Sequence, residues 1–109
     1  MIKTVLTKAG FIEGKTFKET RFLTPPKSTY AIYLDSYDAS GADNKNLIRD
    51  HTVSIELYSY KPDPNAEKNI ESAFDELGIE YSKSDRYWHD EEQLYQTVYT
   101  FEYFEKIGG

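Results

Sequence analysis

The chain has no cysteine, which excludes disulfides, thiol nucleophiles and cysteine-held zinc. Histidine is nearly absent too: His51 and His89 are the only two. Neither is placed in the sequence to serve a serine nucleophile, and no serine sits in the strained Gly-x-Ser-x-Gly context. Glycine is sparse, and Gly10 and Gly14 form neither a dinucleotide fingerprint nor a Walker loop. No apolar run approaches the ~20 residues of a membrane span. The opening Met1-Ile2-Lys3-Thr4-Val5-Leu6 is shorter than the apolar stretch of a signal peptide. The expectation is therefore a soluble intracellular protein. Positive charge is in deficit, at a net −6, which argues against general binding to nucleic-acid phosphates.

What the chain does have is aromatic side chains and carboxylates. Aromatics make up 16% of its 109 residues, and each buries roughly 150–250 Å², which offsets a shortage of aliphatics in a thin core. A chain of this length is read as one domain, 1–109. The aromatics concentrate late, with Tyr81, Tyr87, Trp88, Tyr95, Tyr99, Phe101, Tyr103 and Phe104 on either side of Asp90-Glu91-Glu92. That layout predicts a hairpin closed by an acidic turn, with more rings than one thin core can hide. The surplus rings lie among carboxylates rather than lysines, which favours protein partners over stacked bases.

The charge is uneven along the chain. Residues 1–34 hold six basic and two acidic residues, whereas residues 35–109 hold seven basic and seventeen acidic. A solvated acidic face following a slightly basic arm would explain this. So would a head-to-tail attraction between neighbouring copies, a heterologous contact that closes into a ring where its rotation closes.

Ile2, Val5, Leu6 and Ala9 have helical spacing, and Gly10 ends that segment. Residues 10–29 read as an extended, irregular arm because of Gly14, Pro25 and Pro26, with Phe11, Phe17, Phe22 and Leu23 as apolar anchors. Tyr30–Leu34 predicts a strand, Ser36–Asn46 a polar loop and about Ile48–Tyr60 a second strand. On that second strand Val53, Ile55 and Leu57 share one face, while Ser54, Glu56 and Tyr58 share the other. Asp63 as cap, Pro64 at the first helical position and Gly78 past the end define a helix over 63–78, with the inward stripe Ala66, Ile70, Ala73, Phe74 and Leu77. Ile79–Trp88 and Gln93–Phe104 read as two further strands. The sum is an α+β two-layer sandwich: a roughly four-stranded, mainly antiparallel sheet crossed by one long helix, with a short N-terminal helix.

No motif here carries catalysis or holds a cofactor. His89 with Asp90, Glu91 and Glu92 is the one place where an imidazole meets several carboxylates, but a solvated turn accounts for it. Asp43-Asn44-Lys45-Asn46 starts like a calcium loop and lacks both the acid spacing and the closing glutamate.

In layout the chain resembles the small tail completion, or tail-terminator, proteins of long-tailed phages and prophages of Gram-positive bacteria. The residues that carry the likeness are Ser28-Thr29-Tyr30-Ala31-Ile32-Tyr33, Gly41-Ala42-Asp43-Asn44-Lys45-Asn46-Leu47-Ile48, Ser54-Ile55-Glu56-Leu57-Tyr58 and Tyr99-Thr100-Phe101-Glu102-Tyr103-Phe104-Glu105-Lys106. The resemblance implies a non-enzymatic structural protein without cofactor, made in the host cytoplasm and incorporated in the virion. It implies a homo-oligomeric ring, typically a hexamer, at the head-proximal end of the tail, joining the tail tube protein to the head connector protein. Such a ring surrounds DNA without reading its sequence, and it contacts no membrane. An acidic lumen would let DNA slide. The interface candidates are Phe11, Phe17, Phe22 and Leu23 on the arm, Asp38, Asp43, Asn44, Lys45 and Asn46 on the loop, and Tyr58, Tyr60 and Trp88 on the outer sheet face. The competing expectation is a small acidic inhibitor or immunity-type protein that caps a basic partner, with salt-sensitive binding.

Overall fold

The computed structural model describes residues 1–40 and 47–107. It is an α+β protein in which two helices pack on one face of a mixed six-stranded sheet. The elements are α1 (Ile2–Lys8), β1 (Phe17–Glu19), β2 (Tyr30–Ser40), β3 (Leu47–Ser59), α2 (Pro64–Leu77), β4 (Ser82–Lys83), β5 (Tyr87–His89) and β6 (Leu94–Ile107). The sheet order is β1-β2-β3-β6-β4, with β5 also paired to β6. Among the described residues no helix is long and apolar enough to cross a membrane.

Three long antiparallel strands form the frame. Strand β3 lies between β2 and β6, and one register runs across all three: Tyr33 opposite Ile55 opposite Tyr99, and Ala31 opposite Leu57 opposite Thr97. Because side chains alternate between faces, this register places Ala31, Tyr33, Val53, Ile55, Leu57, Tyr99 and Phe101 together under the helices. Ile2, Val5, Leu6 and Ala9 of α1 and Ala66, Ile70, Ala73 and Phe74 of α2 close the layer from above. Phe74 sits at its centre, stacked on Tyr81 at 4.6 Å and edge-on to Phe101 at 5.3 Å.

Helix α2 follows its sequence signals. The Asp63 carboxylate accepts from the Ala66 amide at 3.0 Å and from the Thr29 hydroxyl at 2.6 Å, tying the cap to the end of the arm. Gly78 adopts the left-handed conformation, φ 67°, that stops the helix. The stripe departs from expectation at its last member, since Leu77 is exposed.

Four sequence expectations need correction. The sheet has six strands, because short pieces at both edges pair with the long ones. Residues 10–29 are not wholly irregular: β1 pairs with β2 in parallel, Phe17 opposite Ala31. A parallel neighbour needs a long crossover back to its start, and residues 20–29 supply it as extended chain instead of a helix. The stretch Ile79–Trp88 is not one strand, since β4 and β5 are separated by Ser84–Arg86. The polar loop does not begin at Ser36, because β2 runs on to Ser40 in register with β3. Pairing on β3 outweighs the turn-forming composition there.

Replacing Phe74 by Ala should remove the centre of the core and cost about 3–5 kcal/mol. Replacing Leu23, which is 81% exposed, should change stability by less than ~0.5 kcal/mol. Urea unfolding of both variants checks the contrast.

Candidate functional site

Among the described residues no helix covers the face of the sheet away from α1 and α2; part of it is covered by the crossover, residues 20–29. The even-numbered residues of this face come from all three long strands. Near one end, Tyr30 stacks on Tyr58 at 5.2 Å, and Phe22 from the crossover packs edge-on to Tyr30 at 5.6 Å. The Tyr60 hydroxyl donates to the Pro26 carbonyl at 3.0 Å. These contacts hold the crossover against the outer face and leave Leu23 pointing outward between them. The crossover leaves β1 through Thr20, which has a left-handed φ of 69°. For a β-branched residue this is a strained conformation. The Thr20 amide stays bonded to the Tyr33 carbonyl at 2.9 Å.

Beside this aromatic stack runs a polar chain. The Tyr58 hydroxyl donates to Glu56 and accepts from Gln96 Nε2 at 3.0 Å, and the Gln96 carbonyl oxygen faces His89 Nε2 at 2.7 Å. Burial, reinforced by the bond to Glu56, pushes the Tyr58 hydroxyl well above its ordinary pKa, so it stays a donor. His89 is thus engaged with Gln96 across the sheet rather than gathered with Asp90, Glu91 and Glu92. Among the described residues no group of three or more His, Asp or Glu side chains is placed to hold a metal ion.

The opposite edges of the sheet differ in charge. On the β1 side, Lys15, Lys18, Arg21 and Lys27 are exposed, and none forms an ion pair among the described residues. Of the two carboxylates on the same side, Glu13 is paired to Lys3 at 2.8 Å and Glu19 is exposed without an ion pair among the described residues. On the β4–β5 side, the two cations turn inward onto α2. Lys83 reaches Glu67 at 3.1 Å and Glu71 at 2.8 Å, and Arg86 reaches Glu67. Burial would raise the Glu67 carboxyl, but the hydrogen bonds from Arg86 and Lys83 prevail and hold it below the usual carboxylate range. Glu80, Asp85, Asp90, Glu91 and Glu92 are left exposed, without an ion pair among the described residues. With them stand Tyr87, 65% exposed, and Trp88, 43% exposed.

Beyond the helices the three long strands continue as a narrow tongue. There His51 on β3 is held from both sides: Nδ1 meets Asp35 of β2 at 2.8 Å and Nε2 meets Glu105 of β6 at 2.9 Å. Tyr103 stacks flat on the ring at 4.4 Å and Tyr37 covers it at 5.2 Å. Arg49 lies over Tyr37 at 4.6 Å and 3.9 Å from Glu105. A carboxylate at each nitrogen requires both nitrogens to donate, so the geometry is that of an imidazolium. Hydrogen bonds to Asp35 and Glu105 accordingly raise the His51 pKa above its ordinary 6.5.

The interface candidates scatter over these regions. Phe11 and Phe17 are corrected to core residues, buried under α1 and α2 and closed to any partner. Phe22 is half-buried on Tyr30, whereas Leu23 is free. Tyr58 is half-buried in the polar chain and Tyr60 is exposed at the same end of the sheet, whereas Trp88 is corrected to the helix side: it is exposed, but it lies opposite Tyr95 and packs on that ring at 4.9 Å. Asp38 is exposed on β2, part of a strand rather than a loop. Asp43, Asn44, Lys45 and Asn46 lie outside the described residues. The sequence reading missed the Asp35–His51–Glu105 clasp. Extending the Val53, Ile55, Leu57 alternation back by two residues puts His51 on the inner face. The two carboxylates that flank it depend on strand register, which the alternation does not specify.

No protein-family model matches the chain, and no curated protein matches it in sequence.

A histidine whose native pKa is raised stabilises the fold fully below its unfolded value of about 6.5, and that contribution is lost as pH rises through the native pKa. Imidazole NMR titration should therefore show His51 titrating above 6.5. Urea unfolding between pH 6 and the raised native value should show a stability decline that the His51→Phe variant lacks. For Glu67 the sign is opposite. Its contribution is present above the ordinary carboxylate value of about 4.5 and is lost as pH falls through the lowered native pKa. Glu67→Gln should flatten that acid limb of the same curve.

Proposed function

We infer that the chain is a structural tail completion protein of a long-tailed phage or prophage, assembling as a ring at the head-proximal end of the tail and joining the tail tube to the head connector. The observation that carries this reading beyond the sequence resemblance is the distribution of charge. Among the described residues four unpaired cations and a single unpaired carboxylate, Glu19, lie along one edge of the sheet and unpaired carboxylates along the other, so one copy offers the complement of its own opposite side. Exposed Leu23, Tyr60, Tyr87 and Trp88 supply the apolar and aromatic anchors that protein interfaces favour. The acidic balance suits a ring around DNA that must not adhere to it.

The four exposed carboxylates near Tyr87 and Trp88, Asp85, Asp90, Glu91 and Glu92, also support the alternative, a small acidic inhibitor or immunity-type protein bound to a basic partner. The two readings separate in solution. A tail completion protein should cap purified tail-tube polymers, limit their length and bind the head connector. An inhibitor should form a 1:1 complex with a basic enzyme that weakens steeply with salt. A chain that stays monomeric at high concentration and binds neither tube nor connector sinks the tail reading.

A further inference from the structure

We propose that the basic crossover of one copy docks on the outer edge of β5 of a second copy, with Leu23 seated against Tyr87, which shares the outer face with Gln96. This rests on the tail-completion reading and assigns its subunit contact.

Three observations select this occupant. First, the two surfaces lie at the same end of the sheet and on opposite edges. β5 pairs with Leu94–Gln96 of β6, and Gln96 is level with Tyr58 and Tyr30, against which the crossover packs. A copy displaced sideways therefore brings one surface to the other. Second, their charges are opposite and uncommitted. Lys18, Arg21 and Lys27, against one carboxylate, Glu19, flank Leu23, while Asp85, Asp90, Glu91 and Glu92 flank Tyr87 and Trp88. Lys83 and Arg86, the cations that could neutralise this edge internally, are turned onto Glu67 and Glu71. Third, the surfaces match in kind. The crossover is extended, stiffened by Pro25 and Pro26, and pinned at Phe22 and Pro26, so Leu23 is presented with little left to order. Among the described residues β5 pairs only with β6, and it exposes Tyr87 on the outer face and Trp88 on the helix side. Arg21 and Lys18 can lie over such rings as well as pair with the carboxylates. A contact between two different surfaces of the same chain repeats from copy to copy, which a ring requires and a two-fold dimer does not.

The absence of native cysteine allows a direct test with the full chain. Leu23→Cys and Tyr87→Cys proteins are prepared separately, mixed at high concentration and treated with a short bis-maleimide. The expected result is a Leu23→Cys to Tyr87→Cys cross-link at least roughly tenfold above either self-cross-link, suppressed at ~1 M salt, where the screening length falls to about 3 Å. Adding Asp90→Lys and Glu91→Lys to the Tyr87→Cys partner should abolish it. Adding Lys18→Glu and Arg21→Glu to the other partner as well should restore it. Circular dichroism confirms that each variant is folded, and these surface positions are remote from the core. Self-cross-links that equal or exceed the mixed product would overturn the proposal, as would a mixed product that survives the single-sided charge reversal. Cross-linking without binding to tube or connector would retain the contact and remove the tail reading. Capping of the tube with no mixed product, either free or on the tube, would do the reverse.

Discussion

Strand β3 is the constraint on which the rest of the molecule depends. It is paired on both sides along nearly its whole length, to β2 and to β6. A shift of one residue would turn Ser54, Glu56 and Tyr58 under the helices and expose Val53, Ile55 and Leu57, so the register is fixed by burial rather than by the turns at its ends. With β3 set, the inner residues of β2 and β6 are set as well. α1 and α2 then have only one apolar face to cover, and Phe74 finds Tyr81, Tyr99 and Phe101 together beneath it.

The same register sorts the aromatic residues into three populations. Tyr99 and Phe101 are core, and the hydroxyl of Tyr99 is satisfied by Glu71 at 2.7 Å, so a large polar ring can be buried without an orphaned group. Tyr30 and Tyr58 stack on the outer face beneath Phe22 and fasten the crossover there. Tyr87, Trp88 and Phe104 remain outside, Phe104 at 73% exposure on the tongue. Among the described residues no helix residue packs on the His51 ring. What shields His51 there is a pair of tyrosine rings, and what fixes its orientation is a carboxylate from each neighbouring strand. Charge therefore takes over from apolar packing along one continuous set of strands.

The opposition between the two edges also follows from chain path. β1 and the crossover come from the basic first third of the sequence and end on one side of β2. β4, β5 and the turn before β6 come from the acidic remainder and end on the far side of β6. A charge split along the sequence thus becomes a charge split across the sheet, because the two segments enter the fold at opposite ends of the strand order. The pairing of Lys83 and Arg86 with α2 carboxylates sharpens it, because those two exposed cations are committed to Glu67 and Glu71.

Local signals alone determined the helix over Pro64–Leu77 with its Asp63 cap and Gly78 stop, the short helix before Gly10, the inner face of β3 and the acidic turn before β6. Each of these depends on neighbours within a few residues, or on a period of 3.6 or 2, and such information is written in consecutive positions. The tertiary structure alone decided that Phe17 belongs to a parallel edge strand and to the core, that β2 runs through its polar stretch to Ser40, and that Asp35 and Glu105 meet at His51. It also decided that the basic and acidic segments occupy opposite edges. Those outcomes join residues 14 to 54 positions apart. Strand order and register set which distant residues meet, and both are chosen by the burial of the whole sheet under its helices rather than by any stretch of sequence taken singly.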